Sequence, residues 1–229
     1  MPDQSGLKYS RRNFLRVFGG TSAGLYAAAV VPAKFFGSED GVPIAASEGF
    51  LLVDTKKCQG CVSCMLVCSL AHEGAVSLSL SRIQIVQNSF EKFPDDISIA
   101  QCRQCTEPLC LEACPTGALH VESGKGNIKT VDEKKCIGCM RCIQACPFTP
   151  SRMEWNAAAK HAQKCDLCSE TPYHWDEAGG GLNGKQACVE VCPVEAIQFT
   201  AAVPIQEGDA GYSANLRDAN WKKLGFPTD

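Results

Sequence analysis

The amino-acid sequence predicts an α+β fold assembled from four similar half-repeats, and three observations carry this prediction. All sixteen cysteines of the 229-residue chain fall into four groups of four, so that none is left over. Extended apolar segments precede three of the groups. A Pro-x-x-Ala-aliphatic sequence follows the last cysteine of two groups. Each half-repeat therefore has the order strand, cysteine loop, short helix and strand.

The predicted strands flank the cysteine groups in a regular order. The strands before the groups lie at 50–54, 97–100 and 127–132. Two further strands begin at Leu119 and Ile197, shortly after a Cys-Pro pair. Residues 81–87 alternate between polar and apolar types inside an insertion and predict one more strand. Residues 169–187 form a second insertion, in which three consecutive glycines indicate a loop.

The cysteine spacing indicates iron–sulfur clusters. Groups one and three follow C-x2-C-x2-C-x3-C, a run that holds [4Fe–4S] clusters in bacterial proteins. Their members are Cys58, Cys61, Cys64 and Cys68, and Cys136, Cys139, Cys142 and Cys146. Group two has one longer gap, and group four contains the second insertion. Their members are Cys102, Cys105, Cys110 and Cys114, and Cys165, Cys168, Cys188 and Cys192.

The chemistry of a four-iron cubane explains this spacing. Three cysteines at i, i+3 and i+6 on a tight loop can wrap three irons of one cubane. Small residues such as Gly60, Ser63 and Gly138 let backbone N–H groups approach the sulfides. The fourth cysteine begins a helix that leads away, so it ligates the neighbouring cluster. The proline after this cysteine in groups two, three and four fits the first helical turn, where no N–H is needed.

Zinc and disulfides are the other uses of so many cysteines. Structural zinc takes four ligands in two pairs. Only group four, a C-x2-C pair followed by a distant pair, leaves zinc open as an alternative. Disulfides between cysteines three residues apart would close small and strained loops.

The segment 1–46 predicts an export signal and a linker. The pair Arg11-Arg12 precedes Phe-Leu and a third basic residue, which resembles the twin-arginine signal. A mildly apolar run at 17–31 follows, and no acidic residue occurs in 4–38. We therefore expect export of the folded, cofactor-loaded protein to the periplasm or the outer face of the cytoplasmic membrane. An anchoring N-terminal helix is the alternative.

Composition excludes several other functions. The formal net charge is −3 and no basic run occurs after residue 16, so no nucleic-acid partner is expected. The sequence contains no Gly-x-Gly-x-x-Gly, phosphate loop or nucleophile–base arrangement, so no catalytic residue is predicted.

Three side chains beside the cysteines are candidates for tuning a cluster. His72 follows Cys68 by four residues and is interpreted either as a donor near the cluster or as a surface residue. Lys135 and Lys164 directly precede the first cysteines of groups three and four. Each would raise a cluster's reduction potential by placing positive charge nearby, or is merely solvated.

Residues 50–200 resemble the four-cluster ferredoxin subunits of molybdopterin and tungstopterin oxidoreductases, such as the iron–sulfur subunit of dimethyl sulfoxide reductase. The sequence CRQC at 102–105, the run C-x3-CPTGA at 110–118 and CIGC at 136–139 carry this resemblance. The segment 68–83 is similar to the ferredoxin subunits of aldehyde oxidoreductase-type tungsten enzymes.

The resemblance implies two bacterial-ferredoxin-like, two-cluster modules related by pseudo-twofold symmetry, with an insertion and a C-terminal tail. Groups one and four form one module, and groups two and three form the other. The implied segments are the signal and linker at 1–46, the four-cluster domain at 47–200 and the tail at 201–229.

The resemblance also implies that the sixteen cysteines are the iron ligands of four [4Fe–4S] clusters. Cluster 1 is held by Cys58, Cys61, Cys64 and Cys192, and cluster 2 by Cys165, Cys168, Cys188 and Cys68. Cluster 3 is held by Cys102, Cys105, Cys110 and Cys146, and cluster 4 by Cys136, Cys139, Cys142 and Cys114.

The implied function is that of an electron-transfer subunit in a hetero-oligomer. One end of the relay faces a molybdenum- or tungsten-pterin catalytic subunit, and the other faces a quinone-reactive membrane subunit or a soluble carrier. The alternatives are an electron-transfer subunit of a hydrogenase or formate dehydrogenase, and a stand-alone polyferredoxin. Residues 200–229 carry several charges, unlike the C-terminal membrane helix of formate dehydrogenase relatives, and this polar tail favours a fixed partner.

Overall fold

The computed structural model describes residues 44–205, 214–226 and 228. The export signal expected in 1–46 therefore lies outside the described residues, except for the last three positions of its linker. Within the described part, short strands and short helices alternate, which confirms the predicted α+β content. No helix in this part is long and apolar enough to cross a membrane.

In the described part of the chain, the strands lie between the cysteine groups or beside them, whereas the first four helices overlap the groups. In chain order they are β1 (Phe50–Val53), α1 (Ser63–Glu73), β2 (Ile83–Gln87), β3 (Ile97–Gln101), α2 (Leu109–Glu112), β4 (Leu119–Glu122), β5 (Ile128–Val131), α3 (Arg141–Gln144), β6 (Glu154–Asn156), β7 (His161–Gln163), α4 (Ala187–Val191), β8 (Ile197–Thr200) and α5 (Ala219–Lys223). The six predicted strands are all present. The prediction missed β6 and β7, a hairpin between groups three and four. The prediction that the last cysteine of a group begins a helix is wrong, because this cysteine lies within α1 in group one and follows α2, α3 and α4 in the other groups.

The strands form four separate two-stranded antiparallel sheets: β1–β8, β2–β3, β4–β5 and β6–β7. Val53 of β1 lies opposite Ile197 of β8, so the strand before group one lies beside the strand after group four. Leu119 of β4 lies opposite Val131 of β5, which joins groups two and three. The helices follow the same pattern, because α1 packs against α4 and α2 packs against α3.

The buried core is built around the cysteines. Its larger part contains the aliphatic side chains Leu51, Val53, Ile83, Ile97, Ile99, Ile128, Leu167 and Ile197 together with Cys58, Cys64, Cys68 and Cys188. A smaller part contains Leu119, Cys142, Met153 and Ala162, with cysteines of groups two and three packed at its edge. Because cysteines occupy so much of both parts, whether the sulfurs are protonated or bound to metal affects the packing of the core.

Helix α1 shows how local sequence places two of these cysteines. Cys64 and Cys68 are four residues apart, so they lie on one face of the helix, and both are buried. The helix ends at Gly74, which has φ +67° and whose N–H donates to the Leu70 carbonyl at 2.9 Å. This left-handed ending favours glycine and turns the chain towards the first insertion.

The described part of the tail docks beside group one. The carboxylate of Asp54 is 3% exposed. It accepts hydrogen bonds from the Leu216 N–H at 2.9 Å and the Arg217 Nε at 3.1 Å. Lys57 Nζ donates to the Leu216 carbonyl at 2.9 Å, and the buried Trp221 ring packs near Phe93. The described tail residues are therefore held beside the segment that leads into group one, chiefly by the buried carboxylate of Asp54.

We expect Asp54→Ala to release the tail, because the substitution removes the buried acceptor of two partly buried donors and should weaken docking by about 1–3 kcal/mol. Limited trypsin digestion of the cluster-loaded protein should then cut faster at Arg217, Lys222 and Lys223. Asp95→Ala is the control, since Asp95 is 69% exposed and only 4.0 Å from Lys56. Equal cleavage rates in the two variants would contradict the anchoring role of Asp54.

Candidate metal centres

The first set of converging thiols, quartet 1, comprises Cys58, Cys61, Cys64 and Cys192, which line one cavity. The first three belong to the loop after β1 and the start of α1, and Cys192 directly follows α4. Burial, followed by repulsion from the other three thiols, raises the pKa of Cys64 to about 12. No charged side chain is among the described residues that line this cavity.

Quartet 2 comprises Cys68, Cys165, Cys168 and Cys188. Burial raises the pKa of Cys165 to about 12, and it raises the pKa values of Cys168 and Cys188 well above the usual value. The negative charge of Asp166 adds to this effect at Cys165 and Cys168. The negative charge of the fourth member, Cys68, also raises the pKa of each of these three thiols. The structure therefore brings the set together from opposite ends of the domain.

Quartet 3 comprises Cys102, Cys105, Cys110 and Cys146, which line a second cavity. Burial, followed by the charges of neighbouring thiols, raises the pKa of Cys105 to about 11 and the pKa of Cys110 to about 12. Four cationic side chains also line this cavity, and no acidic one does so in the described part of the chain. They are Arg103, Lys129, Arg152 and Lys164.

Quartet 4 is the predicted set of Cys114, Cys136, Cys139 and Cys142. Burial is the main cause that raises the pKa of Cys142 to about 11. Repulsion from Cys136 and Cys114 adds to this rise, and a backbone hydrogen bond from Ile143 opposes it. Cys139 lies on the same loop and is exposed. The structure therefore places three members close together and the fourth at the surface.

A backbone hydrogen bond to sulfur recurs at the last cysteine of every group. The acceptors are Cys68, Cys114, Cys146 and Cys192, and the donors are the N–H groups of Arg82, Leu119, Arg152 and Ala196, at 3.3, 3.4, 3.2 and 3.2 Å. Hydrogen bonds to ligating sulfurs are among the factors that set the potential of an iron–sulfur cluster. The donors lie at varying separations along the chain, so spacing alone did not reveal them.

The loops between the first two cysteines also share one backbone feature. The residue before the second cysteine has a positive φ in all four groups. These residues are Gly60, Gln104, Gly138 and Leu167, with φ of 66°, 49°, 70° and 57°. Glycine adopts this conformation most readily, and a Cβ at Gly138 would lie 3.1 Å from the Trp155 ring.

Electrostatic interactions between thiols, and one shared helix, connect the quartets in the order 1, 2, 3, 4. Cys188 of quartet 2 interacts electrostatically with Cys64 of quartet 1, and Cys165 of quartet 2 interacts with Cys102 of quartet 3. Quartets 3 and 4 share α2, since Cys110 lies within this helix and Cys114 follows its end. The two exposed cysteines of the chain, Cys61 and Cys139, belong to the first and last quartets.

His72 lies beside quartet 2 and is buried, in accord with the donor interpretation. Its Nδ1 is 2.8 Å from the Cys68 carbonyl and 3.8 Å from Cys68 Sγ, and its Nε2 is 2.9 Å from Asp166 Oδ1. Asp166 Oδ2 also accepts from Arg82 at 3.2 Å. Burial is the largest single influence on the pKa of His72 and lowers it. The hydrogen bonds to Asp166 and Cys68, together with the negative charge of Asp166, outweigh burial and raise this pKa to about 10.

The hydrogen bonds among His72, Asp166 and Arg82 make the pKa of Cys68 differ from those of the other thiols of quartet 2. Burial alone would raise the pKa of Cys68, but the hydrogen bond and positive charge of His72, together with Arg82, hold it below the usual value. Sequence reasoning had missed Asp166. Its position between Cys165 and Cys168 was the only available signal.

The donor sets fit anionic iron–sulfur clusters. Buried thiols with raised pKa values keep their protons in neutral solution, whereas a coordinated metal removes the proton outright. The cationic side chains around quartet 3 are buried in low dielectric, where an anionic group offsets the cost of burying positive charge. Among the described residues, no three Cys, His, Asp or Glu side chains are grouped so as to hold a single metal ion.

Comparison with known proteins supports the same chemistry. Residues 95–202 match the model of the 4Fe-4S dicluster domain family. The chain is 36% identical over 143 residues to the polyferredoxin-like subunit of aliphatic sulfonate oxidoreductase from Pyrococcus furiosus, covering 62% of this chain and 70% of that protein. Two longer relatives are covered over only 31% and 21% of their length.

Two further relatives are components of reductases. The chain is 31% identical to the thiosulfate reductase electron transfer subunit of Salmonella typhi, over 65% of this chain and 73% of that protein. It is 32% identical to one polypeptide of the anaerobic dimethyl sulfoxide reductase of Escherichia coli, over 75% of this chain and 83% of that protein. The chain therefore belongs to the family of ferredoxin-type iron–sulfur electron-transfer subunits of oxidoreductases.

Proposed function

We propose that this chain relays single electrons through four [4Fe–4S] clusters between a molybdenum- or tungsten-pterin catalytic subunit and a second partner. The second partner is a quinone-reactive membrane subunit or a soluble carrier. The observation that carries the proposal is the serial order of the quartets, with exposed cysteines, Cys61 and Cys139, in the terminal ones. When bound, a [4Fe–4S] cluster supplies one-electron transfer.

The sixteen cysteines act as iron ligands in the four quartets, so that quartets 1 to 4 hold clusters 1 to 4. Two observations support these ligand sets: quartets 1 and 3 each line one cavity, and members of every quartet influence one another's pKa values. The remaining residues bury the sulfurs, exclude water and donate N–H groups to the last cysteine of each group.

The quartets belong to two modules related by pseudo-twofold symmetry. The pairing of β1 with β8 and of α1 with α4 supports a module of groups one and four. The pairing of β4 with β5 and of α2 with α3 supports a module of groups two and three. We assign 1–46 to the signal and linker, 47–200 to the four-cluster domain and 201–229 to the tail.

The surface around Cys139 fits a protein partner. Ile137 and Met140, which flank this exposed cysteine, are 66% and 40% exposed. Apolar side chains grouped at a functional surface are typical of protein interfaces. The names of the relatives, which describe parts of reductases and oxidoreductases, also support a hetero-oligomer with a catalytic subunit.

The metal content of the native complex tests the main proposal. Anaerobic purification followed by mass spectrometry of metals should give about sixteen irons per chain, with one molybdenum or tungsten. The same iron content without either metal would contradict the pterin partner and favour a hydrogenase or a free carrier. Zinc in place of a quarter of the iron would show that group four is not an iron–sulfur site.

The exchange of last cysteines between groups is tested by serine variants of the reconstituted, full-length protein. Cys192→Ser should alter the electron paramagnetic resonance signal of the same cluster as Cys58→Ser, because both belong to quartet 1. Cys188→Ser should alter the signal of the cluster that Cys68→Ser affects. If Cys188→Ser and Cys192→Ser instead affected one common cluster, these ligand sets would be wrong.

The export proposal is tested by replacing Arg11 and Arg12 together with lysine. The double variant should leave the cluster-loaded protein in the cytoplasm, whereas the unchanged chain should be recovered from the periplasm or the outer membrane face. Lys8→Arg is the control, since it keeps the charge and lies outside the arginine pair. Unchanged export of the double variant would contradict the twin-arginine route.

A further inference from the structure

Lys164 directly precedes Cys165 of quartet 2, yet its ammonium group lies beside quartet 3. It lines the cavity of Cys102, Cys105, Cys110 and Cys146. Burial raises the pKa values of Cys105 and Cys110, and the positive charge of Lys164 opposes this rise at both thiols. The fold therefore directs this charge to a quartet other than the one that its position in the sequence suggests.

The ammonium group is held in place by neutral acceptors. Lys164 Nζ donates to the backbone carbonyl of Cys165 at 3.0 Å and also to that of Lys129. Gln104 bonds to the same two residues and so holds their backbone in place. Its Oε1 accepts from the Lys129 N–H at 2.8 Å, and its Nε2 donates to the Cys165 carbonyl at 2.9 Å. Lys164 is only 2% exposed. Its charge is thus fixed in position and shielded from water.

Other charged groups near Lys164 do not cancel its positive charge at quartet 3. Lys129, 1% exposed, lines the same cavity, and its Nζ donates to the Ala45 carbonyl. Asp166, a carboxylate that interacts with Lys164, is already hydrogen-bonded through its oxygens to His72 and Arg82. Quartet 3 therefore faces buried positive charge.

The other quartets have different surroundings. The cavity of quartet 1 has no charged residue among its described lining. Beside quartet 2, the charges of His72 and Arg82 are opposed by the buried Asp166. Near quartet 4, Lys135 is 62% exposed and its Nζ lies 3.0 Å from Asp132 Oδ2, so water and a carboxylate screen it.

We propose that Lys164 makes the cluster of quartet 3 the one with the highest reduction potential in the relay, so that a single electron on the chain resides there. A fixed positive charge in low dielectric favours the added electron. The inference rests on the proposed function, because it requires a cluster at each quartet.

Lys164 and Lys135 form a matched pair for the test, since each directly precedes the first cysteine of its group. The protein with all clusters loaded is titrated with dithionite while electron paramagnetic resonance follows each cluster. Cys105→Ser should change the signal of quartet 3 alone, because Cys105 belongs to that quartet only, and this change identifies the signal. Iron content is measured on every sample, and fewer than four clusters in the unchanged chain would contradict the proposed function and not the role of Lys164.

In the unchanged protein, the cluster of quartet 3 should be reduced first. Lys164→Gln should lower its ratio of reduced to oxidised form about tenfold at fixed potential, a shift of about 59 mV for one electron. Lys164→Arg should retain the original potential, and Lys135→Gln should move none of the four signals. The proposal is overturned if four loaded clusters show another quartet reduced first, or if Lys164→Gln leaves the quartet 3 signal in place.

Discussion

The proposed ligand sets place one constraint on the architecture: three cysteines of one group must meet the last cysteine of another group. Quartet 1 takes Cys192 from group four, and quartet 2 takes Cys68 from group one. These sulfurs can meet only if the two ends of the domain are adjacent, and the pairing of β1 with β8 places them so. Metal ligation and tertiary folding are therefore coupled, as in other proteins whose sites do not exist in the unfolded chain.

The same constraint explains why cysteines occupy the core. A thiol buried away from water resists ionisation, which is why the pKa values of Cys64 and Cys110 are raised to about 12. Ligation by iron reverses this preference and makes burial of the thiolate favourable. The N–H groups aimed at the last cysteine of each group act in the same direction, since they favour the charged sulfur.

Much of this arrangement could be predicted from the sequence, because cysteine spacing and strand alternation are local patterns. Other features depend on contacts between distant segments. Glycine marks the left-handed loop position in two groups, but Gln104 and Leu167 adopt the same conformation without that marker. Lys135 and Lys164 occupy equivalent positions in the sequence, yet one is exposed and the other is buried beside a quartet on a different loop. Only the packing of the surrounding chain separates them.

The relay places two opposite requirements on one small domain. Its ends must let partner proteins approach, and the exposure of Cys61 and Cys139 provides this access, but water at the same positions screens fixed charges. At quartet 3 the side chain of Lys164 is buried, so water screens its charge less than it screens the charge of the exposed Lys135. A partner that covered the terminal quartets would exclude this water and so strengthen the effect of fixed charges there.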